Sequence, residues 1–437
     1  MTKSPPEFVP PIIGSKLAHD SAKKHVTGRA LYVDDMPEPA KLLHVQIGLS
    51  STAHASLDEL DVSAVRSAPG VVEVLTAEDI PGKNDVSPFS GDEPALVSDT
   101  IRYHGQALFV VAAETRRAAQ LALANAKIRS APKEAWVTIE QAAEADSHIE
   151  EERRLTLNDI DEGLANAPRT LRSRMRVGGQ DHLYLEGHIA MAVPGEDETL
   201  TVYSSTQHPS EVQQVVARVL GKPVHAITVE VRRMGGAFGG KETQPAHFAA
   251  LAALVAHRTG RPAKLRLDRD DDMIMTGKRH DFDVQWQVGF DDTGRLHGLQ
   301  MDLASRCGHS ADLSSSVNDR AMFHADNAYY LGSALIRSQR LRTHTVSNTA
   351  FRGFGGPQSM VATERMMDEV AMALGRDPLD VRLENLYRPG FATTPYGQEI
   401  DDFRLDDLMR QLAETSRYRE RRRAIEEWNR ANGKAVR

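Results

Sequence analysis

Cysteine is nearly absent from this sequence: Cys307 is the only one in 437 residues. That excludes a disulfide framework, a cysteine-rich zinc site and an iron–sulfur cluster held by this chain alone. It fits a reducing cytoplasm, which is the expected compartment. Long apolar runs are missing as well. None approaches the roughly 18 residues of a membrane span, and the N-terminal MTKSPPEFVPP has no apolar signal core. A basic excess is also lacking, since 53 Lys and Arg stand against 61 Asp and Glu, a net charge of −8. Neither a membrane nor nucleic acid is therefore an expected partner. No internal repeat or low-complexity segment of note occurs.

What remains is ordinary globular material, 41% hydrophobic and 26% charged, enough to build cores. At roughly 150 residues per domain, the length implies two to three domains. Residues 1–25 are Pro-rich and polar and read as an arm. Residues 43–47 and 70–75 read as strands, and the apolar run 107–112 as a strand buried on both faces. An Ala-rich helix is expected over 114–127. Between Glu144 and Glu162, eight acidic residues stand against two basic ones, which reads as a solvated linker. Beyond it, helices are expected over 209–220, 245–259 and 357–374, each begun by Pro and followed by Gly221, Gly260 or Gly375. Alternation from Phe282 to Val288, a turn at Asp291 to Gly294 and the segment 296–303 predict a β-hairpin. The last helix, 405–430, grows basic toward its end and reads as a solvated helix on the rim of a subunit contact. Strands and helices interleave throughout, so the fold class is α+β or mixed α/β.

The sharpest local feature is the loop Met234-Gly235-Gly236-Ala237-Phe238-Gly239-Gly240-Lys241-Glu242, between a strand-like run and a helix. It nearly spells the phosphate loop of nucleotide hydrolases. However, Glu242 stands where a Ser or Thr must hold Mg²⁺, and a carboxylate there would repel a triphosphate. A second loop, Asn348-Thr349-Ala350-Phe351-Arg352-Gly353-Phe354-Gly355-Gly356-Pro357-Gln358, again runs into a helix. Gln358 occupies the place of the last glycine of a dinucleotide fingerprint. Each loop alone could be a tight turn. Two together, each placing a Phe among glycines at a helix start, point to a large anionic cofactor and a flat ring nearby.

Other candidates are weaker. His182, Tyr184, Glu186 and His188 fall on one face of a strand-like segment, but without the helical spacing of a zinc protease. Asp270-Asp271-Asp272 reads as a helix cap and solvated turn. Cys307 reads as a small core residue rather than a nucleophile.

At the glycine loops the sequence resembles the molybdenum-binding subunit of the xanthine oxidase family of molybdenum hydroxylases, over nearly its whole length. Gly28-Arg29-Ala30-Leu31-Tyr32-Val33-Asp34-Asp35 and His104-Gly105-Gln106 resemble the family's hammerhead α/β domain. The segment from Gly179 to Glu186, Ser205-Thr206-Gln207, Leu267-Asp268-Arg269-Asp270, Arg320-Ala321-Met322-Phe323-His324 and both glycine loops resemble its first molybdopterin-binding domain. The resemblance implies an arm at 1–25, a hammerhead domain at 26–143, the acidic linker at 144–165 and a molybdopterin domain at 166–403. Residues 404–437 then correspond to the helical start of a second molybdopterin domain that is otherwise absent.

In the family a pterin dithiolene holds the molybdenum and no protein side chain ligates it. Gln207 matches the glutamine that hydrogen-bonds to a molybdenum oxygen ligand. Gly236, Phe238, Gly239 and Arg352 match residues of the cofactor cradle. Phe354 matches an aromatic that holds the substrate ring, and Glu242 with Arg320 matches the polar pair that orients a purine. A carboxyl and a guanidinium on opposite sides of a purine would orient it and stabilise the charge that develops on the ring. The implied activity is hydroxylation of hypoxanthine or xanthine toward urate with oxygen from water. The 2Fe-2S clusters and FAD are expected on partner chains of a homo- or hetero-oligomer. The alternatives are an aldehyde or N-heterocycle hydroxylase, and a truncated remnant that only binds partner subunits. The family's general base is a Glu beyond Gly433-Lys434, and losing such a group removes ~10²–10⁴ in rate. The chain by itself is therefore expected to be inactive and to bind the cofactor poorly.

Overall fold

Three sheets organise the α+β fold in the computed structural model, which describes residues 14–433. Residues 1–13 of the expected arm lie outside the described residues, and its remainder runs into a short helix, α1 (Ala22–Val26). The first unit supplies β1 (Leu43–Leu49), β2 (Ala55–Asp61), β3 (Val71–Leu75), β4 (Thr100–Ile101), β5 (Ala107–Ala113) and β6 (Lys127–Pro132), with α2 (Ser63–Arg66) and α3 (Arg116–Leu123). Then come α4 (Ile139–Glu144), β7 (His148–Leu157), α5 (Ile160–Ala165), β8 (Arg169–Val177), β9 (Ile189–Pro194), β10 (Leu200–Ser204), α6 (Pro209–Leu220), β11 (Ile227–Glu230), α7 (Pro245–Thr259), β12 (Ala263–Arg266) and α8 (Arg269–Met275). The rest is β13 (Phe282–Phe290), β14 (Leu296–Gly308), α9 (Ser314–Phe323), β15 (Ser333–Arg342), α10 (Gly356–Leu374), α11 (Pro378–Asn385), α12 (Leu405–Thr415) and α13 (Tyr418–Ala431).

The seven-stranded sheet runs β11-β10-β9-β12-β1-β5-β3 and crosses from one unit to the other. The crossing is a parallel pairing of β1 with β12, Leu43 opposite Ala263. All of β5 is buried, as its unbroken apolar run demands. Helices α6 and α7 pack on this sheet and place Val212, Val216, Leu251 and Leu254 in its core. Each such side chain contributes about 1.5–3 kcal/mol. Both helices start on a proline and end on a glycine in the left-handed region, Gly221 at φ 62° and Gly260 at φ 67°. The five-stranded sheet runs β7-β15-β14-β13-β8 and includes the expected hairpin, β13 with β14. Cys307 is buried on β14, where burial pushes its thiol up. No helix among the described residues is long and apolar enough to cross a membrane.

Four local expectations are corrected. The acidic stretch is not an open linker: β7 is an edge strand paired with β15, flanked by α4 and α5. Its acids meet cross-strand arginines, Glu150 with the fully buried Arg340 at 3.3 Å. The helix expected over 114–127 is shorter, because Thr115 Oγ1 accepts the Ala118 N–H and starts it, while Lys127 already belongs to β6. The last helix is two, broken where Arg417 turns to φ 52°. The cap of α8 is Asp268, whose side chain accepts from Asp271 N–H, so Asp270 to Asp272 form the first turn.

The segment 81–97 of the first unit is the second clasp between the units. Ser310 Oγ donates to Glu93 at 3.0 Å, Ala311 N–H to Asp92 at 2.9 Å, and His247 Nε2 meets the Ala95 carbonyl at 2.7 Å. Desolvation and the neighbouring Asp312 push the Glu93 carboxyl up to about 8. The folded chain thus binds this proton more tightly than the unfolded chain. The stabilisation is full at acid pH and is lost progressively as pH rises from the usual glutamate range toward 8. Glu93→Gln should therefore raise Tm by a few degrees at alkaline pH and little at pH near 5. A Tm lowered at alkaline pH would contradict this account.

Candidate functional site

The two glycine loops dock against each other through their backbones. Arg352 N–H donates to the Phe238 carbonyl at 2.9 Å. At Gly239, with φ 99°, a Cβ would lie 2.7 Å from the Ala350 carbonyl oxygen, so only glycine permits the approach. Both loops hold an aromatic in the left-handed region, Phe238 at φ 57° and Phe354 at φ 50°. A bulky side chain there costs about 1–3 kcal/mol and is held only where the surroundings over-determine it. Phe238 projects outward, 48% exposed. Gly355 presses the second loop onto α9, because its Cβ would fall 1.9 Å from the Val317 carbonyl oxygen.

The first loop is held from beneath by a lysine that points inward. Lys241 is fully buried, and its ammonium donates to the Glu186 carbonyl at 2.7 Å and to Ser205 Oγ at 2.8 Å. It also stands 3.5 Å from a Glu186 carboxylate oxygen. That carboxylate in turn accepts Gly235 N–H and Ser205 Oγ, each at 2.7 Å. Burial outweighs Glu186 and pushes the ammonium down to about 8. The lysine is thus committed to the interior rather than to the outer surface of the loop, where a phosphate loop would need it.

Gln207 sits beside the loop and is exposed. Its N–H donates to the Lys241 carbonyl at 2.7 Å, and its Oε1 accepts from Gly239 N–H at 2.9 Å and Lys241 N–H at 3.3 Å. With Oε1 so used, the amide N–H₂ is left as a donor without an acceptor among the described residues. The second loop rests on His182 and Arg279. His182 Nε2 meets the Ala350 carbonyl at 2.7 Å and its ring stacks on Phe351 at 4.5 Å, while burial keeps the imidazole neutral, pushed down to about 4. The Arg279 guanidinium lies 3.9 Å over the Phe351 ring and donates to the Arg352 carbonyl at 2.8 Å. The segment carrying His182 to His188 is irregular rather than a strand, yet His182, Tyr184 and His188 are buried and alternate with exposed Leu183 and Leu185.

Glu242 is partly buried one residue beyond Lys241, and desolvation raises its carboxyl, opposed by His208. Arg320 lies on α9, exposed and without an ion-pair partner among the described residues. Its Nε approaches the start of α10, 3.8 Å from where a Gly356 Cβ would lie. Phe354 is partly exposed on the loop between them. A cavity of about 810 Å³ lies on the Glu186 and Gly236 side of the first loop and does not include Gln207, Glu242, Arg320, Arg352 or Phe354. Sequence reasoning underrated Glu186 and Lys241, passed over Arg279, and read as part of a solvated turn the buried Asp272. The last accepts from Tyr184 Oη at 2.7 Å and His188 N–H at 2.9 Å. The burial of a loop lysine was the one missed signal available, since a glycine loop without a phosphate must turn its lysine elsewhere.

The donors suit an organic, polar cofactor rather than a metal held directly. Among the described residues the N–H groups of Gly236, Ala237 and Phe238 have no intramolecular acceptor, and no group of three His, Cys, Asp or Glu could hold a metal ion. A glycine-lined surface with free amides therefore fits a molybdopterin.

A family model described as "Molybdopterin cofactor-binding domain" matches residues 142–386. One described as "Aldehyde oxidase and xanthine dehydrogenase, a/b hammerhead domain" matches residues 27–134. The chain is similar to xanthine dehydrogenase of Calliphora vicina, 38% identical over 421 residues, covering 96% of this chain and 31% of the relative. It is equally similar to xanthine dehydrogenase/oxidase of Gallus gallus, 38% identical over 427 residues, covering 98% of this chain and 31% of the relative. The chain thus spans about a third of the length of these curated relatives. Among solved structures, aldehyde oxidoreductase from Desulfovibrio gigas superposes with a TM-score of 0.86 at 28% identity, covering 93% of this chain and 46% of that one. Quinoline 2-oxidoreductase from Pseudomonas putida shares the fold with a TM-score of 0.86 at 23% identity, covering 96% of this chain and 56% of that one.

Proposed function

Because the chain belongs to the molybdopterin cofactor-binding family of molybdenum hydroxylases, we propose that it forms the substrate-facing part of a purine hydroxylase acting on hypoxanthine or xanthine. The observation that carries this reading is the pair at the rim of the two loops, a partly buried Glu242 with a raised carboxyl and an Arg320 left without a partner. Gln207, Gly236, Phe238, Gly239 and Arg352 would hold the molybdopterin, which when bound supplies two-electron redox chemistry with oxygen from water. Gln207 offers its free amide N–H₂ toward that group, and the Gly236 to Phe238 amides offer theirs.

Glu242 and Arg320 would then act on the purine edges. A carboxyl that desolvation shifts toward its neutral form can meet a polar edge of the ring, and the guanidinium can hold the oxygen on which charge develops. Phe354 would bear on the ring face. Proton abstraction is assigned to a group outside these 437 residues, as are the 2Fe-2S clusters and FAD, so the chain by itself is proposed not to turn over purine. A cytoplasmic setting accords with the single cysteine.

A second reading, an aldehyde or N-heterocycle hydroxylase, draws on the likeness to aldehyde oxidoreductase. Substitution of Arg320→Met in the assembled enzyme separates the two. One charge-assisted contact is worth about 1.5–3 kcal/mol, so kcat/KM for xanthine should fall about 10- to 100-fold. A small aldehyde should be little affected. The isolated chain serves as the zero of the urate assay. Xanthine turnover unchanged by the substitution would overturn the purine reading.

A further inference from the structure

A row of hydrogen-bonded side chains crosses from the first unit into the second. Glu93, of the segment 81–97, meets Ser310 Oγ at 3.0 Å. Ser310 Oγ lies 2.5 Å from Ser347 Oγ, which lies 3.0 Å from His309 Nδ1. The Ser310 N–H, also at 3.0 Å, pins Ser347 Oγ in place. Ser310 and Ser347 are fully buried and His309 is 2% exposed. A serine beside an imidazole is also the arrangement of a nucleophile and its base, but no substrate can reach a hydroxyl that has no surface. The other ring nitrogen, His309 Nε2, is buried without a partner.

We propose that Glu93, Ser310, Ser347 and His309 form a buried proton relay, in which the state of the Glu93 carboxyl decides which ring nitrogen of His309 carries hydrogen. Neither purine nor cofactor enters this relay.

A serine hydroxyl donates one hydrogen and rotates to suit its neighbours, so the row has two complete arrangements. With Glu93 ionised, Ser310 donates to Glu93, Ser347 donates to Ser310, and His309 Nδ1–H donates to Ser347. With Glu93 protonated, every bond runs the other way. The carboxyl then donates to Ser310, Ser310 to Ser347, and Ser347 to a bare Nδ1, which leaves the ring hydrogen on Nε2. Passing from the protonated to the ionised arrangement moves one proton along each link, from Glu93 toward His309 Nδ1, and releases the Nε2 proton to solvent. One proton is lost, the ring is neutral before and after, and the only charge gained is the Glu93 carboxylate.

The surroundings keep the ring neutral and the carboxyl titratable. Burial, with Arg102, Arg342 and His247 adding to it and the Thr345 carbonyl opposing, pushes the imidazole down to about 3. Desolvation pushes the Glu93 carboxyl up to about 8, with Asp312, Asp92 and Asp85 adding to it and the Ser310 hydroxyl opposing. The tautomer of a neutral histidine is set by the bonds its nitrogens make. Since Nε2 has no partner, the bond between Nδ1 and Ser347 is left to choose. The Tyr103 ring of the first unit packs on the imidazole at 4.7 Å, so both ends of the relay lie where the two units meet.

The test follows His309 in the full 437-residue chain labelled with nitrogen-15 histidine, without purine or cofactor, and His309→Gln assigns its resonances. As pH rises through the Glu93 midpoint, about 8, the hydrogen should move from Nε2 to Nδ1, seen as an exchange of the two nitrogen shifts. Ser347→Ala cuts the relay and Glu93→Gln removes its titrating end, so each should abolish the exchange. Glu93→Gln is nearly isosteric and decides alone if the alanine variant does not fold. A ring that keeps one tautomer throughout the titration of the parent chain overturns the proposal, as does an exchange that survives either substitution.

Discussion

Replacing Lys241 with methionine is expected to cost the folded chain about 3–5 kcal/mol. The ammonium is fully buried and bonded to Glu186 and Ser205, so its loss leaves the Glu186 carboxylate, only 11% exposed, without its cation. One carboxylate oxygen of Glu186 already lacks a partner, which leaves little to absorb the change. The remaining donors, Gly235 N–H and Ser205 Oγ, are neutral and cannot replace a charge. The damage should also be local. Gly235 opens the first glycine loop, so a Glu186 that swings away withdraws the acceptor that fixes the start of that loop. Urea unfolding should show a lower midpoint at an unchanged slope. Adding Glu186→Gln to Lys241→Met should recover part of the loss, because the uncompensated charge is then gone. A loss below about 1 kcal/mol for the single substitution would show that the buried pair is not what holds the loop.

Gly355→Ala should destabilise by about 2–5 kcal/mol, from backbone strain together with overpacking. Here the added Cβ meets a main-chain oxygen, Val317 O at 1.9 Å, on a helix that cannot move without moving Arg320. Gly375 provides the control. It closes α10 at φ 64° with nothing within 4 Å of its would-be Cβ, so alanine there pays for conformation alone. The difference between the two variants in thermal or urea unfolding reports the contact between the second loop and α9 together with the less permissive backbone of Gly355, φ 94° and ψ −33° against φ 64° and ψ 27°. If Gly355→Ala proved no worse than Gly375→Ala, the close approach would carry no energetic weight.

The parts of the fold written in local grammar were legible in the sequence. Proline at the start and glycine past the end delimit α6 and α7 to the residue, and the alternation from Phe282 gives β13. Both glycine loops were visible for the same reason, since φ > 0 and close backbone approach leave glycine little competition. What escaped is non-local. The acids of β7 looked solvated because their partners lie far along the chain: Glu150 answers Arg340, and Arg153 answers Asp319. Composition over a window of twenty residues cannot register a cross-strand ion pair. The clasp of Glu186 and Lys241 escaped in the same way, because it joins an irregular segment to a loop without any periodic pattern to betray it.

The parallel ladder between β1 and β12 has a consequence for how the chain can be divided. Two family descriptions meet between residues 134 and 142, which invites a cut there. Such a cut would separate strands in the middle of one hydrogen-bonded sheet, stripping the β12 edge of its β1 partner and uncovering Leu43, Val45 and Leu265. A bare apolar edge is a template for pairing with other copies, so either piece expressed alone should tend to aggregate. The boundary between the two family descriptions is therefore not a boundary in the fold, since one sheet is woven from both sides of it.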